Sequence, residues 1–264
     1  MWIEFALIGL LAGYLAGLLG IGGGFIVVPA LTFLFLKDPL TAPWAIHMAV
    51  ATSLSTMLVT SLSSLLAHHR KGAIHWPLVR SMAVGLTAGA ILGAIIADFL
   101  HGEILIRTFG LFAVLAGLQL ILVRHRDGEI PLPGQPSVSA TGGFIGFISA
   151  LIGIGGGAMT VPWLLWHGVQ PQRAVATSAA CGYPIAIAGS LSFVVLGLGG
   201  SGLPDATLGY VHLRAFAGIA LLGALAAPLG AATVHRLPPG AVRRVFGVFL
   251  ALVGTYMLLN PYIA

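Results

Sequence analysis

The chain has 264 residues, of which 58% are hydrophobic and only 7% charged. Soluble domains carry about a quarter charged residues, so a soluble fold of this length is excluded. Lys and Arg outnumber Asp and Glu by 12 to 7, a +5 balance that fits basic cytoplasmic loops rather than nucleic acid, and the single Cys181 excludes an internal disulfide or a cysteine-built metal site.

The first apolar run, 5–36, is too long for one crossing: as a straight helix it would measure about 48 Å against a hydrocarbon core of about 30 Å. It must break, and the break belongs at Gly22, Gly23 and Gly24, where the backbone is most permissive and helix propensity poorest. The product is a broken helix pair or a re-entrant hairpin. No cationic segment precedes the run, so it reads as a retained span and not as a cleaved signal. The spacing then predicts three full spans over about 46–67, 77–98 and 105–123. On the first of them Thr52, Ser53, Thr56, Thr60 and Ser64 share one broad helical face. Membrane hydroxyls of this kind either donate to a ligand or satisfy themselves on the carbonyl one turn back.

Residues 124–137 carry charges and three prolines, Pro131, Pro133 and Pro136, and read as a linker that can neither continue a helix nor sit in lipid. The linker divides two transmembrane repeats, 1–123 and 138–264, of one integrated transporter domain. Gly20-Ile21-Gly22-Gly23-Gly24 with Pro29 returns 133 positions later as Gly153-Ile154-Gly155-Gly156-Gly157 with Pro162. Val50-Ala51-Thr52-Ser53 returns at an offset of 125 as Val175-Ala176-Thr177-Ser178. An offset of 137 aligns Gly72 with Gly209, His75 with His212, Arg107 with Arg244, and Phe109-Gly110 with Phe246-Gly247. Spans at about 174–197, 211–234 and 242–260 complete the second copy. If each leading segment returns to its own side, nine of the basic residues fall on one face of the membrane and Lys37, Arg107 and Arg214 on the other. That bias orients the halves upside down relative to each other, with both termini outside the cytoplasm. The expected fold class is therefore an all-α polytopic membrane protein of inverted repeats, each with three full spans behind a glycine-broken leading segment.

Inverted repeats containing broken helices are a recurring plan of secondary transporters, with the breaks meeting near the bilayer midplane. Helices restarting at Gly24 and Gly157 would present unpaired N–H groups and the positive end of a helix dipole, a seat for an anion. The candidate substrate-binding residues are Gly22, Gly23, Gly24, Thr52, Ser53, Gly155, Gly156, Gly157, Thr177 and Ser178. Gly9, Gly13 and Gly17 read instead as close helix packing. His75 and His212 are candidates for proton coupling, against the blander reading of interfacial histidines bonded to loop carbonyls. No triplet is followed by the Lys and Ser or Thr of a phosphate loop, and no Asp or Glu lies near the middle of a span to cage a metal cation. No cofactor and no metal site is expected.

The two glycine motifs, each followed by Ala-Thr-Ser (Ala51-Thr52-Ser53 and Ala176-Thr177-Ser178), resemble the TauE/SafE family of sulfite-exporter-like membrane permeases, over nearly the whole chain. The resemblance implies a multi-pass permease of the bacterial inner membrane for sulfite, sulfoacetate, thiosulfate or a related organosulfur anion. It also implies that the two glycine triplets form the halves of the translocation site, backed by Thr52, Ser53, Thr177 and Ser178. The partners are then a small sulfur-containing anion and the lipid bilayer, with no nucleic acid, and a homo-oligomer is compatible with the sequence. The halves are chemically unequal, Cys181-Gly182-Tyr183-Pro184 standing where the first has Thr56-Met57-Leu58-Val59. The competing reading is a membrane-embedded enzyme or assembly protein acting on a lipid-linked substrate, which the scattered histidines do not equip with a reactive centre.

Overall fold

The computed structural model describes residues 2–19, 22–122, 131–199, 202–233 and 239–260. Among them are ten α-helices: α1 (Trp2–Leu19), α2 (Gly24–Leu36), α3 (Ala45–Arg70), α4 (Trp76–Phe99), α5 (Gly102–Leu122), α6 (Gln135–Ile152), α7 (Gly157–Trp166), α8 (Pro171–Leu198), α9 (Leu213–Thr233) and α10 (Pro239–Leu259). A 3-10 turn, Ala42–Trp44, leads into α3. Five stretches are long and apolar enough to cross a membrane: Ala42–Arg70, Trp76–Phe99, Gly102–Leu122, Pro171–Leu198 and Leu213–Gly230.

The long first run breaks where expected, α1 stopping at Leu19 and α2 starting at Gly24. The second copy stops at Ile152 and restarts at Gly157. At about 1.5 Å per residue α7 reaches only about 15 Å, half a bilayer. Two boundaries differ from the sequence reading. Helix α6 begins at Gln135 with Pro136 in its first turn, so residues 135–137 are helical rather than linker; proline is tolerated there because that N–H has no helical acceptor anyway. Residues 124–130 lie outside the described residues. The span expected from 211 begins at Leu213, because Thr207–Leu208 (β1) and Val211–His212 (β2) pair as a short antiparallel hairpin ahead of it.

Helix pairing crosses between the halves. Helix α1 packs on α9 and α4 on α6, while α3 packs on α8 and α5 on α10. This pattern is unchanged when the halves are exchanged, and the glycines show it residue by residue. A Cβ on Gly9 would lie 2.8 Å from the Ile219 carbonyl oxygen, and one on Gly142 2.8 Å from that of Met82; both members of each pair are counterparts in the repeat. Likewise Gly13 abuts the Gly223 carbonyl and Gly146 that of Leu86. Gly110 faces Gly254, and Gly117 faces Gly247, across the α5 and α10 contact. Lipid tails are as apolar as leucine, so such helices gain by close backbone approach rather than by leaving lipid. The packing role read for Gly9 and Gly13 is thus observed.

Apolar side chains on the outer faces, among them Val84, Leu115 and Leu225, are exposed as lipid-facing residues should be. The start of α2 is anchored by Phe25, whose ring stacks on Phe112 at 6.1 Å and meets Phe109 and Phe246 edge-on at 6.5 and 6.4 Å. The counterpart of Phe25 on α7 is Ala158, so the second break has no such aromatic anchor.

Candidate site at the two glycine breaks

The two breaks touch. Gly153 ends α6 in the left-handed conformation (φ 73°), which turns the chain out of the helix, and the Ile154 N–H returns to the Ser149 carbonyl at 3.0 Å. The Gly153 carbonyl accepts a 2.7 Å bond from the Ser53 hydroxyl of the other half. Gly22, also left-handed (φ 80°), lies so near Gly155 that a Cβ on it would sit 3.6 Å from the Gly155 nitrogen. Gly24 abuts the Gly153 carbonyl, and its Cβ would stand 2.8 Å from Ile154 Cα. Met57, from α3, covers the junction, its Cε meeting the position of a Cβ on Gly155 and lying 3.6 Å from that of one on Gly22. Gly20 and Ile21 lie outside the described residues.

Both restarting helices are uncapped by side chains. The Gly23 carbonyl accepts from Ile26 and Val27, and that of Gly156 from Met159 and Thr160. Among the described residues the N–H groups of Gly24, Phe25, Gly157 and Ala158 have no acceptor. Two positive helix ends, each with two free donors, thus start beside the contact between the breaks. A cavity of about 10 Å³ adjoins Gly23, lined by Ala12, Ala16, Val27, Thr56 and Met57 among others, which is room for about one water. The junction is therefore closed in this conformation. A larger recess of about 390 Å³ lies between α4 and α8, beside Thr87, Ile91, Tyr183 and Pro184, and contains none of the residues expected at the site.

The hydroxyls repeated between the two halves serve different purposes. Thr52 accepts the His212 N–H at 3.0 Å, and its counterpart Thr177 accepts the His75 N–H at 3.1 Å. Each half thereby holds the other by the same bond. Thr56 and Thr60 bond back to the Ser53 and Thr56 carbonyls, as local satisfaction predicts. Ser178, the counterpart of Ser53, is buried with no partner among the described residues. Replacing Thr177 by Val keeps the shape but strands the part-buried His75 N–H. The expected cost is about 1 to 3 kcal/mol of stability for Thr177→Val and a similar cost for Thr52→Val, read from melting curves in detergent. Thr108→Val, whose hydroxyl only bonds back to Ile104, is the neutral comparison.

The two repeat histidines are helix caps. His75 Nδ1 accepts from the Leu78 N–H at 3.3 Å, starting α4, and His212 Nδ1 accepts from the Ala215 N–H at 3.1 Å, starting α9. Each follows a turn whose glycine is left-handed, Gly72 (φ 63°) and Gly209 (φ 55°). The loop-carbonyl bonds expected of interfacial histidines are not what holds their rings: each Nδ1 accepts from a helix N–H instead. A proton on Nδ1 would abolish the cap. Burial lowers the affinity of His212 for that proton, Arg214 adds to the effect, and Asp38 opposes it. The unfolded chain then binds the proton more readily than the native one, so this stabilisation is complete above the ordinary value of 6.5 and is lost as pH falls below it. Melting temperature should accordingly drop on acidification below about 6.5, and His212→Asn, which keeps a capping acceptor that does not titrate, should flatten that slope.

Three features escaped the sequence reading. His47 closes the end of α4, its Nε2 3.1 Å from both the Ala97 and Leu100 carbonyls. Its ring stacks on Tyr210, whose hydroxyl donates to Asp98 at 2.7 Å; burial and that bond push the Tyr210 phenol up. Met57 is the second, and the only signal for it was the contrast with Gly182 in the other half. The third is the pair of buried hydroxyls Ser149 and Thr160, both without a partner among the described residues. Their first-half counterparts, Ala16 and Val27, carry no hydroxyl, so repetition could not single them out. His235 and Arg236, expected at a cytoplasmic edge, lie outside the described residues. No group of three or more His, Cys, Asp or Glu is placed to hold a metal among the described residues.

Known proteins resemble the whole of this chain. The chain is 34% identical to a "Probable membrane transporter protein" of Haemophilus influenzae, over 96% of its own length and 97% of the relative's. It is 29% identical to a probable membrane transporter protein of Methanocaldococcus jannaschii, over 96% of this chain and 94% of that one. It is 26% identical to the probable membrane transporter protein YunE of Bacillus subtilis, over 97% of each. No solved structure matches it. The spanning helices and this kinship agree with a multi-pass inner-membrane protein in a family of probable membrane transporters, and with a transporter rather than an enzyme. The family model described as "Sulfite exporter TauE/SafE" matches residues 5–257, and the chain belongs to that family.

Proposed function

We propose that the protein is a secondary transporter that exports sulfite or a related organosulfur anion by alternating access, the two halves lying upside down to each other in the bilayer as one transport unit. The observation that carries this reading is the meeting of two uncapped helix starts, at Gly24 and Gly157, inside a span-rich chain. Their free N–H groups and dipole ends favour a negative ligand, and no carboxylate stands among the residues of the junction to favour a cation. Gly22, Gly23, Gly24, Gly155, Gly156 and Gly157 contact the anion, with Ser178 beside them. Thr52, Ser53 and Thr177 hold the two breaks in register. The closed junction is the occluded stage of the cycle, opened toward one face at a time.

With the cell interior negative, export of an anion is favoured by about 2.3 kcal/mol per charge per 100 mV, so no coupling ion is required. Coupling through His75 or His212 would demand that a proton displace a helix cap, which makes it a structural switch rather than simple carriage. The test is flux in proteoliposomes holding only this protein, across sulfite, sulfoacetate, thiosulfate, sulfate and chloride, with and without a pH gradient. The expected result is potential-driven movement of sulfite or another sulfur oxyanion. Turnover of a lipid-linked substrate without anion flux would replace this reading by the enzyme one.

A further inference from the structure

We infer that the two breaks hold the anion unequally: at the second break the hydroxyls of Thr160 and Ser149 join the free N–H groups at the start of α7 in a donor site for a sulfur oxyanion, while the first break offers backbone N–H groups alone. The inference rests on the transport reading above and names the residues that give it specificity.

The starting observation is a set of exceptions. Hydroxyls along the described helices satisfy themselves one turn back, as Thr32, Ser55, Thr60, Thr108, Thr141 and Thr233 do. Thr160 and Ser149 do not, although both are 0% exposed and have no partner among the described residues. A buried hydroxyl left unpaired is costly, and a protein that tolerates such groups points to a polar guest. Ser178 and Ser190, on α8, are also buried without a partner among the described residues.

Geometry places the pair. The Thr160 Oγ1 is 3.3 Å from where a Cβ on Gly156 would stand, hence at the first turn of α7. The free N–H groups of Gly157 and Ala158 share that turn. Ala16 and Val27, the counterparts of Ser149 and Thr160, line one small cavity together with Gly23, the counterpart of Gly156. Exchange of the halves therefore brings Ser149 and Thr160 to the same space beside Gly156. At that Cβ position stand Ile185 Cδ1 at 2.8 Å and Ile145 Cγ2 at 3.0 Å, and no backbone atom is among the nearest. Of the two, Ile185 Cδ1 is the free end of its side chain, and a rotamer change there makes room beside Gly156. In the first half the hydroxyl positions are Ala and Val, and Phe25 pins the helix start among three phenylalanines. That end offers the anion its backbone N–H groups and no added hydroxyl at these two positions.

Neutral donors can hold a desolvated oxyanion without a counter-ion, and a site without lysine or arginine releases it readily. Radiolabelled sulfite flux in proteoliposomes and melting temperature in detergent test the assignment together. Thr160→Val, which installs the first half's own residue, should raise the sulfite KM about tenfold and, by removing an unpaired buried hydroxyl, raise the melting temperature in sulfite-free buffer. Ser149→Ala should act in the same direction, Thr160→Ser should retain wild-type KM, and Val27→Thr should change KM less than twofold. Wild-type KM in both Thr160→Val and Ser149→Ala, or an equal shift from Val27→Thr, overturns the assignment while transport stands. A structural hydroxyl would instead lower the melting temperature of Thr160→Val. If the wild-type protein moves no sulfur oxyanion at all, it is the substrate reading that fails, a result distinguishable from the others.

Discussion

Gly24→Ala should abolish anion flux and destabilise the protein, although it adds a single methyl group. At Gly24 that methyl abuts the Gly153 carbonyl and comes within 2.8 Å of Ile154 Cα. These are backbone atoms of the opposite break, themselves fixed by the Ser53 hydroxyl and by the helix end at Ser149. No side-chain rotation can relieve the overlap, so the two breaks must separate. Overpacking of this kind costs about 1 to 3 kcal/mol, and the loss falls on the contact between the two breaks. The comparison is Gly143→Ala in α6, where the nearest atom to the new methyl is the Gly85 carbonyl oxygen at 3.8 Å. Sulfite flux and melting temperature measured on both variants decide the matter. Wild-type flux in Gly24→Ala would mean that transport does not depend on contact between the breaks.

Met57 should prove to be the seal of the junction. Its thioether tip lies over Gly155 and Gly22, and Gly182, its counterpart, has no side chain to offer in the other half. Methionine is flexible enough to fill such an irregular gap and to leave it again. Met57→Ala removes a buried side chain and leaves a void between the breaks, at a cost of about 2 to 5 kcal/mol. Chloride should then leak through the variant in proteoliposomes faster than through the wild type. Gly155→Ala alone should be mild, because its methyl meets only the movable Met57 tip. In the Met57→Ala background that same methyl refills part of the void, so the double variant should leak less and melt higher than Met57→Ala. Additive effects of the two substitutions would show that the side chains do not share one space.

The sequence made the breaks legible for a plain reason. Lipid imposes a length and an apolarity on every span, and a run of 32 uncharged residues with three consecutive glycines in it offers one best place to stop a helix. Repetition at fixed offsets then marked Thr52 with Thr177 and His75 with His212 as equivalent. What it left open was their work. Binding, packing and proton coupling all use the same residue types at the same helical spacing, and the structure shows the threonines clamping the histidine backbones across the halves while the histidine rings cap helices. Ser149, Thr160 and Met57 were invisible to a search for repetition because each stands where the two halves differ.

Sequence alone determined that the chain lives in a membrane, where its helices stop, which segments are copies and to which family it belongs, because each of these follows from local length, apolarity and recurring residues. Only the tertiary structure decided that the two glycine breaks touch, that α1 lies on α9 and α4 on α6, and which hydroxyls are spent on backbone and which are left over. Those outcomes depend largely on contacts between residues far apart in the chain, Gly142 with Met82, Ser53 with Gly153 and Thr52 with His212 among them. Such contacts are settled by how closely two helix backbones can approach, a property of the packed pair that neither strand of sequence carries by itself.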